Sequence, residues 1–297
     1  MGRKEDRPVI AVAWRGNQES ESFVCTIRAI EAAGGAPVTL PMVKADFLTY
    51  ENGKLEEGID EHGALSLEAA QLVRRHGWRD SDAEKIMQGY YAIVFPGGED
   101  ISPSLYANPQ AVEINEGFSP ERDVSDYLLL SYCLEHDPPI LCICRGMQAL
   151  SVVSGAEMIQ DIGLYMDSLG KAYAYEHRSE PEIPEARRDF TFHDVRVMEG
   201  SNLKRIVRTD VIPNAASWHH QAVRSVEGTK LAITGICETN GLPMIEAVER
   251  TDKSFVIGLQ FHPEISVVRG LDDLSLSYFR ALVQAAEKNG SDTASKA

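Results

Sequence analysis

Short apolar runs alternate with helix-like segments along most of the chain. Strands buried on both faces of a parallel sheet are predicted by five such runs, at residues 9–13, 36–40, 90–95, 140–143 and 255–261. Amphipathic helices are predicted between them by apolar residues at helical spacing, at residues 23–33, 65–75 and 119–135. This order of strand, helix and strand implies parallel pairing through right-handed crossovers.

The second half of the chain predicts a different kind of sheet. Antiparallel strands at one side of the parallel sheet are indicated by segments at residues 191–197, 231–237 and 244–248. A helix at residues 275–288 is expected to close the fold, followed by a flexible tail over residues 289–297. We therefore predict a single α/β domain over residues 1–288, with a mostly parallel central sheet and an antiparallel extension.

Residues 44–88 are more charged and less regular than the segments around them. They contain too few apolar residues for a core of their own, so we expect a helical insertion that returns to the sheet. The pattern does not decide the role of this insertion, which is either a set of helices added to the surface of the fold or a lid over a site.

The charge of the chain opposes some classes of partner. Lys and Arg total 29 against 45 Asp and Glu, and the formal net charge of −16 opposes binding to nucleic acid or to an anionic membrane. The first residues are too mixed for a signal peptide, and no run approaches the roughly 18 apolar residues of a membrane span. The five cysteines show no zinc-type spacing, so we expect a reduced, cytoplasmic protein without a metal or cofactor.

Cys144 lies where the apolar strand at residues 140–143 gives way to a helix beginning at Arg145. Gly146 follows, at a position where a Cβ would crowd a sharp turn. Free N–H groups and the helix dipole at such a position favour the thiolate, which makes Cys144 a candidate nucleophile. The alternative is an inert buried thiol, a role that fits Cys142 inside the strand.

Two other predicted strands end in residues with catalytic potential. Gly97 and Gly98 follow the strand at 90–95, where they form either a simple tight turn or a backbone site for an oxyanion. His262 and Glu264 follow the last apolar run, and on extended backbone their side chains would point the same way, so that the carboxylate orients the imidazole. Because parallel strands share one carboxyl edge, we expect these residues to meet Cys144.

Three segments, PGGED, ICRGMQ and GLQFHPE, resemble the signature regions of the class I glutamine amidotransferase superfamily. Further segments resemble its peptidase C26 branch, typified by γ-glutamyl-γ-aminobutyrate hydrolase: AGGAP, PGGEDISPSLY, GAEMIQDI, SWHHQAV and IEAVE. The resemblance covers residues 8–288. It implies a three-layer, doubly wound, flavodoxin-like arrangement of the α/β fold.

The resemblance also implies roles for residues that match the family motifs. Cys144 would be the nucleophile, His262 the general base and acid, and Glu264 the residue that orients His262. The backbone N–H groups of Gly98 and Arg145 would form the oxyanion hole.

Substrate contacts are implied at further positions of these motifs, namely Gly97, Gln148, His220 and Gln221. Gln148 would bind the α-amino and α-carboxyl end of a glutamyl group. His219 and His220 are adjacent, and on extended chain adjacent side chains point to opposite faces, so at most one is expected to face a given pocket. For His219 and Trp218 we expect a packing role.

The expected activity is hydrolysis of γ-glutamyl amide bonds through a glutamyl thioester. The substrate would be γ-glutamyl-GABA or a related γ-glutamyl amine, as in polyamine or putrescine catabolism. The leaving amine stays open among GABA, another polyamine-derived amine, a glutamate chain and ammonia, and the resemblance also leaves a homodimer open. The alternatives are a glutaminase subunit that supplies ammonia to a partner protein and a catalytically silent binding protein on the same scaffold.

Overall fold

The computed structural model describes residues 7–294, and the centre of this part of the chain is a nine-stranded mixed sheet. In chain order, the strands of the described residues are β1 (Val9–Val12), β2 (Ala36–Thr39), β3 (Tyr50–Glu51), β4 (Lys54–Leu55), β5 (Ile93–Phe95), β6 (Ile140–Ile143), β7 (Glu157–Ile159), β8 (Thr191–Val197), β9 (Val211–Ser217), β10 (Ala222–Ser225), β11 (Leu231–Thr239), β12 (Leu242–Arg250) and β13 (Val256–Leu259). Of these, β3 pairs with β4 and β7 pairs with β10 in two separate small sheets.

The large sheet joins a parallel half to an antiparallel half. Strands β2, β1, β5, β6 and β13 pair in parallel in that order, and β12, β11, β8 and β9 continue the sheet antiparallel from β13. The strands β5, β6 and β13 are buried along their whole length, as their continuous apolar runs predict. The predicted fold class, with its mostly parallel centre and antiparallel extension, is confirmed.

Helices cover both faces of the sheet. They are α1 (Glu21–Ala32), α2 (Leu67–His76), α3 (Ala83–Met87), α4 (Pro120–His136), α5 (Arg145–Val153), α6 (Ile162–Ser168), α7 (Asn202–Val207), α8 (Pro263–Arg269) and α9 (Leu276–Ala294). On one face α5 packs on α4, which also contacts α2 and α3, and on the other face α9 contacts α1, α7 and α8. Two hydrophobic clusters fill the spaces between these helix layers and the sheet.

The insertion at residues 44–88 contains the β3–β4 hairpin as well as α2 and α3. Its buried residues Leu65, Ala70 and Val73 belong to the same hydrophobic cluster as Leu128 of α4. The buried hydroxyl of Ser102 also accepts a hydrogen bond from the N–H of Leu65 at 2.8 Å. The insertion therefore shares the core of the sheet through its contacts with α4.

Several local expectations need correction. The helix α9 continues to Ala294, so residues 289–294, expected to be a flexible tail, are helical, while 295–297 lie outside the described residues. The side chain of Asn289 donates to the carbonyl of Tyr91 at 3.0 Å, which ties this last part of the helix to the fold. Strand β9 was missed because Asn214, at a φ of 50°, interrupts its alternating pattern.

Within the described part of the chain, none of the helices combines the length and apolar character that a bilayer crossing requires.

The four neighbouring parallel strands β1, β5, β6 and β13 end at one edge of the sheet. That edge carries Arg15, Gly98, Cys144 and His262, each one to three residues beyond the end of its strand.

Candidate active site

Cys144 occupies a sharp turn between β6 and α5. Its backbone has φ 49° and ψ −108°, an unusual conformation for a residue with a side chain, and its N–H donates to the carbonyl of Leu259 at 2.7 Å. A Cβ on Gly146 would lie 2.2 Å from the carbonyl oxygen of Phe95, so only glycine fits at this position. The strained turn places the thiol at the N-terminus of α5, where backbone N–H groups have no partner within the helix.

His262 and Glu264 meet, although not on the extended backbone that the sequence predicted. Pro263 begins helix α8, since its fixed φ suits the first position of a helix, and His262 is the residue that precedes it. Nδ1 of His262 donates to Oε1 of Glu264 at 2.7 Å, and the hydroxyl of Ser22 donates to the same oxygen at 2.8 Å. These contacts fix the tautomer and orientation of the imidazole and leave its Nε2 free.

The electrostatic setting of His262 favours a protonated ring. Burial disfavours the charged form, but Glu264 and the neighbouring Cys144 outweigh it and raise the pKa of His262 to about 10. Among residues 7–294, Nε2 of His262 has no hydrogen-bond partner. The ring therefore holds a proton that it can deliver to a bound molecule.

Cys144 and Gln148 are linked through Gln260, a residue that the sequence did not single out. The amide nitrogen of Gln260 donates to Sγ of Cys144 at 3.6 Å, and its oxygen accepts from the amide of Gln148 at 3.3 Å. Gln148 also donates to the carbonyl of Gln221 at 3.0 Å. This chain of amides fixes a donor against the sulfur, and Gln260 can be recognised because it follows directly on β13.

The turn at Gly97 and Gly98 is shaped by Arg122. Its guanidinium donates to the carbonyl oxygens of Pro96 at 2.7 Å and Gly97 at 3.0 Å. A Cβ on Gly98 would lie 1.8 Å from Nη1 of Arg122, so a side chain there would displace the guanidinium. Gly98 lies beside Cys144 in the lining of the site, where its backbone N–H can approach a substrate.

A buried ionic network supports both the glycine turn and the cysteine turn. Arg145, the residue after the cysteine, contacts Asp123 at 2.6 Å and also pairs with Asp126 of the same helix. Arg122 contacts Asp126 at 3.3 Å. Removing one member of such a network leaves an unpaired buried charge, which typically costs about 3–5 kcal/mol. The network therefore ties α4 to the start of α5.

Two cavities meet at Cys144. The smaller cavity has a volume of about 230 Å³ and the larger cavity about 490 Å³, and both are lined by Arg15, Gly98, Cys144 and Trp218. The larger cavity also contains His262 and the ring of Phe190. The thiol is thus accessible from two sides, and the imidazole lies on only one of them.

The smaller cavity is lined by acidic and basic side chains together, among them Glu99, Asp100, Glu116, Arg15, Arg178 and His220. Burial disfavours a charge on His220, but the hydrogen bonds that its ring donates to Asp100 and Asp161 outweigh it and raise the pKa of His220 to about 9. Burial also disfavours the ionised form of Glu99, but Arg122 and Arg15 lower its pKa to about 2. Both groups are therefore charged at neutral pH.

Arg15 has unused hydrogen-bonding capacity within this charged lining. One of its terminal nitrogens contacts Glu99 at 3.3 Å, whereas Nε and Nη1 have no hydrogen-bond partner among the described residues and are shielded from solvent. The sequence did not point to Arg15, because it lies in a polar segment that contains no motif. Its position three residues after β1, at the same sheet edge as Cys144, is the signal that could have identified it.

The other predicted substrate positions all lie at the site but differ in what their side chains do. Gln148, His220 and Gln221 line the smaller cavity, whereas a Cβ on Gly97 would lie 3.0 Å from Cε1 of His262. The amide of Gln221 is used by the scaffold, since it accepts from the N–H of Ile101 at 3.1 Å and donates to a buried tyrosine. Of the four, His220 offers a charged side chain to the cavity.

The adjacent histidines have different partners, although both line the smaller cavity, where at most one was expected. His220 lies between Asp100 and Asp161 in the smaller cavity, and its ring nitrogens are 2.9 Å and 3.1 Å from their carboxylates. The His219 ring turns instead toward the buried Glu246, with 3.5 Å between Nε2 and Oε1. Trp218 is 36% exposed and lines both cavities, so the packing role expected for it is incomplete.

The sequence and the fold both match known proteins. The family model described as peptidase C26 matches residues 68–264. The chain belongs to the peptidase C26 family. This membership confirms the resemblance noted in the sequence and supports a hydrolase or amidotransferase-like role for this C26 protein.

Individual relatives agree with the family assignment. The C26 protein is 30% identical over 241 residues to a putative glutamine amidotransferase-like protein from Rickettsia prowazekii, covering 71% of this chain and 82% of the relative. It is 28% identical over 188 residues to a gamma-glutamyl-gamma-aminobutyrate hydrolase from Escherichia coli O157:H7, covering 61% of this chain and 66% of the relative.

The similarity of fold extends to a more distant solved structure. The glutaminase domain of CTPS from Trypanosoma brucei, solved with bound acivicin, superposes with a TM-score of 0.53 at 14% sequence identity, covering 95% of this chain and 94% of that chain. At that identity the comparison concerns the fold alone, and it agrees with the architecture predicted from the sequence.

Proposed function

We propose that this C26 protein is a cysteine hydrolase that cleaves γ-glutamyl amide bonds through a glutamyl thioester. The observation that carries the proposal is the position of Cys144 where two cavities meet, with His262 on one side and oriented by Glu264 at 2.7 Å. The similarity to a protein named gamma-glutamyl-gamma-aminobutyrate hydrolase supports the substrate class. A γ-glutamyl-GABA substrate would place the reaction in polyamine or putrescine catabolism.

In the first half of the reaction, the Cys144 thiolate attacks the γ-carbonyl carbon and forms a C–S bond. The carbonyl oxygen becomes an oxyanion, which the backbone N–H groups of Gly98 and Arg145 would stabilise. His262 donates its Nε2 proton to the amine nitrogen as the C–N bond breaks. The products are a free amine and a glutamyl thioester on Cys144.

In the second half, neutral His262 takes a proton from a water molecule as that water attacks the thioester carbonyl. The C–S bond breaks, glutamate leaves, and Cys144 and His262 return to their starting protonation states. Glu264 stabilises the positive ring in both halves, since its carboxylate accepts the Nδ1 proton at 2.7 Å.

The smaller cavity suits the α-amino acid end of a glutamyl group. Such an end carries both an ammonium and a carboxylate at neutral pH, and the cavity has charges of both signs. Arg15, with its unpartnered Nε and Nη1, would bind the α-carboxylate. Asp100 and Glu116 line the same cavity and would bind the ammonium.

The larger cavity suits the leaving amine, because His262 lies there and must reach the amine nitrogen. Its volume of about 490 Å³ exceeds what an ammonia molecule needs, and its lining combines Phe190 and Trp218 with the cationic Arg188. An alkyl amine that ends in a carboxylate, as GABA does, matches this combination. The volume therefore favours a substituted γ-glutamyl amide over glutamine.

The test compares Cys144→Ala with Cys142→Ala, two thiols that lie two residues apart. We expect Cys144→Ala to lose hydrolysis of γ-glutamyl-GABA and Cys142→Ala to keep it, because the Cys142 side chain is inside β6. The assay should also compare kcat/KM for γ-glutamyl-GABA and glutamine. Full activity in Cys144→Ala contradicts the proposal, and glutaminase activity that requires an added partner protein favours an ammonia-supplying role.

A further inference from the structure

Three histidines and a glutamate meet beside the two cavities at Cys144. Their spacing in the sequence does not predict that they lie together. We call it the histidine cluster, and its members are His177, His193, His219 and Glu246. They come from four separate segments, namely the loop after α6, β8, the loop between β9 and β10, and β12. One potential ligand atom from each residue lies within 4.8 Å of all the others.

The facing atoms of the cluster are too far apart or too poorly aligned for hydrogen bonds. Glu246 Oε1 lies 3.3 Å from His177 Nδ1 and 3.5 Å from His219 Nε2, and Oε2 lies 3.7 Å from His193 Nε2. All five of these atoms are shielded from solvent and have no hydrogen-bond partner among the described residues. Glu246 itself is fully buried. Leaving a buried polar group unpaired costs about 1–3 kcal/mol, so this set of unpaired atoms requires an explanation.

The outer sides of two rings are held in the way that metal-binding histidines usually are. Nδ1 of His219 donates to the carbonyl of Gln221 at 2.9 Å, and a carbonyl can only accept. In the neutral ring, the lone pair is therefore on Nε2, the nitrogen that faces Glu246. His177 is held by a 2.7 Å contact between its Nε2 and the hydroxyl of Thr239. Such outer contacts fix the tautomer and aim the ligand atom.

Two of the spacings inside the cluster match those around one small tetrahedral ion. Zinc binds histidine nitrogen and carboxylate oxygen at about 2.0–2.2 Å, which puts neighbouring tetrahedral ligands about 3.3–3.5 Å apart. The contacts from Glu246 to His177 and His219, at 3.3 Å and 3.5 Å, already have this spacing. Calcium and magnesium prefer all-oxygen ligands, whereas three imidazoles and one carboxylate suit zinc or a similar transition metal.

We propose that the histidine cluster binds one zinc ion as a closed structural site. With four protein ligands, the ion has no open position for a substrate, which is typical of structural and not catalytic zinc. The proposal stands on the cluster alone and does not depend on the hydrolase assignment.

The ion would stabilise one wall of the two cavities that meet at Cys144. The N–H of His219 donates to the carbonyl of His177 at 2.9 Å, and the hydroxyl of Ser217 donates to the same carbonyl at 3.0 Å. The zinc would join these two loops to Glu246 of β12, in the antiparallel half of the sheet. The loop of His219 also carries Trp218, whose carbonyl lies 3.8 Å from the Cys144 sulfur. Zinc binding would therefore fix Trp218 beside the thiol.

The first experiment measures zinc by mass spectrometry in the full-length protein, purified without a histidine tag. We expect one zinc per chain, a lower melting temperature after removal by a strong chelator, and recovery when zinc is added back. Cobalt(II) in place of zinc should give the intense visible absorption of a tetrahedral site. These measurements use the unaltered chain, so they do not depend on the folding of a variant.

The second experiment compares variants. Glu246→Gln and His193→Gln should lose the metal and the cobalt spectrum, while His62→Gln, which changes an exposed histidine outside the cluster, should keep both. The proposal is overturned if folded protein holds no zinc after incubation with the metal and if neither chelator nor zinc moves its melting temperature. In that case a proton shared between Glu246 and a ring occupies the cluster instead.

Discussion

Histidine and glutamate side chains meet both around Cys144, which we call the cysteine site, and in the histidine cluster. The two places differ in the contact between ring and carboxylate. At the cysteine site, the ring of His262 donates directly to Glu264 at 2.7 Å, and His262 lines a cavity with a volume of about 490 Å³. In the histidine cluster, three rings surround Glu246 at 3.3–3.7 Å without a hydrogen bond.

The difference teaches how the same residue types serve different chemistry. A direct hydrogen bond fixes a proton on the ring and raises its pKa, which suits proton transfer at Cys144. Nitrogen and oxygen atoms that converge without hydrogen bonds leave lone pairs for a cation, which suits metal binding. The backbone determines which case arises, since His262 and Glu264 lie two residues apart, whereas the cluster draws on four distant segments.

The largest expected effect comes from exchanging each carboxylate for its amide. Glu264→Gln should lower kcat by about 1,000- to 10,000-fold, because the amide no longer stabilises the charged ring, while zinc content and melting temperature stay close to those of the parent. Glu246→Gln should show the opposite pattern, with loss of zinc and of thermal stability. Parallel assays of kcat, zinc content and melting temperature check both, and matching profiles for the two variants would remove the distinction between the sites.

The next effect concerns Arg15, which belongs to the cysteine site alone. Arg15→Gln should lower kcat/KM for γ-glutamyl-GABA by about 10- to 100-fold, mainly through KM, because a charge-assisted hydrogen bond to the α-carboxylate is lost. Arg280→Gln, at an exposed position on α9, is the matched control and should leave kcat/KM unchanged. An unchanged KM in Arg15→Gln would remove Arg15 from substrate binding.

Much of the cysteine site could be predicted from the sequence, because its parts follow directly on strands with clear apolar runs. Strand β6 has the predicted bounds, and Cys144 follows it as expected. The extended backbone predicted at His262 was wrong, since Pro263 begins a helix, but the predicted contact with Glu264 forms. Arg15 was missed because the loop after β1 contains no motif.

The histidine cluster could not be predicted in the same way. Its members are spread over about 70 residues, and His177 lies in a polar segment that contains no motif. Strand β9, which leads to His219, has no clean alternation, so the antiparallel half of the sheet was incomplete in the prediction. Tertiary pairing of β8, β11 and β12 brings together the strands of His193 and Glu246, and two loops supply His177 and His219.

A further prediction uses pH. Because the raised pKa of His262 is about 10, its ring is protonated below that pH and loses its proton above it. We expect kcat/KM to fall on the alkaline side, near pH 10, as the general acid is lost. In Glu264→Gln this alkaline limb should move to lower pH, since the largest attraction that raises the pKa is gone. An identical alkaline limb in parent and variant would contradict the role of Glu264.

The smallest expected effect comes from Ser22, whose hydroxyl donates to Glu264 at 2.8 Å. Ser22→Ala should lower kcat by about fivefold, as expected for the loss of roughly 1 kcal/mol from one hydrogen bond. Ser131→Ala, which removes a hydroxyl that donates to the carbonyl of Tyr127 within α4, is a suitable control. A loss as large as that of Glu264→Gln would mean that Ser22 contacts the substrate directly.

The most direct test of the cysteine site measures by mass spectrometry whether Cys144 carries a covalent adduct during turnover. The enzyme is mixed with a γ-glutamyl amide, quenched in acid before the reaction ends, digested and examined by mass spectrometry. We predict an added glutamyl group on the peptide that contains Cys144, and none when Cys144→Ala is treated in the same way. Rapid hydrolysis without any adduct on that peptide, or the same adduct in Cys144→Ala, would contradict the thioester mechanism.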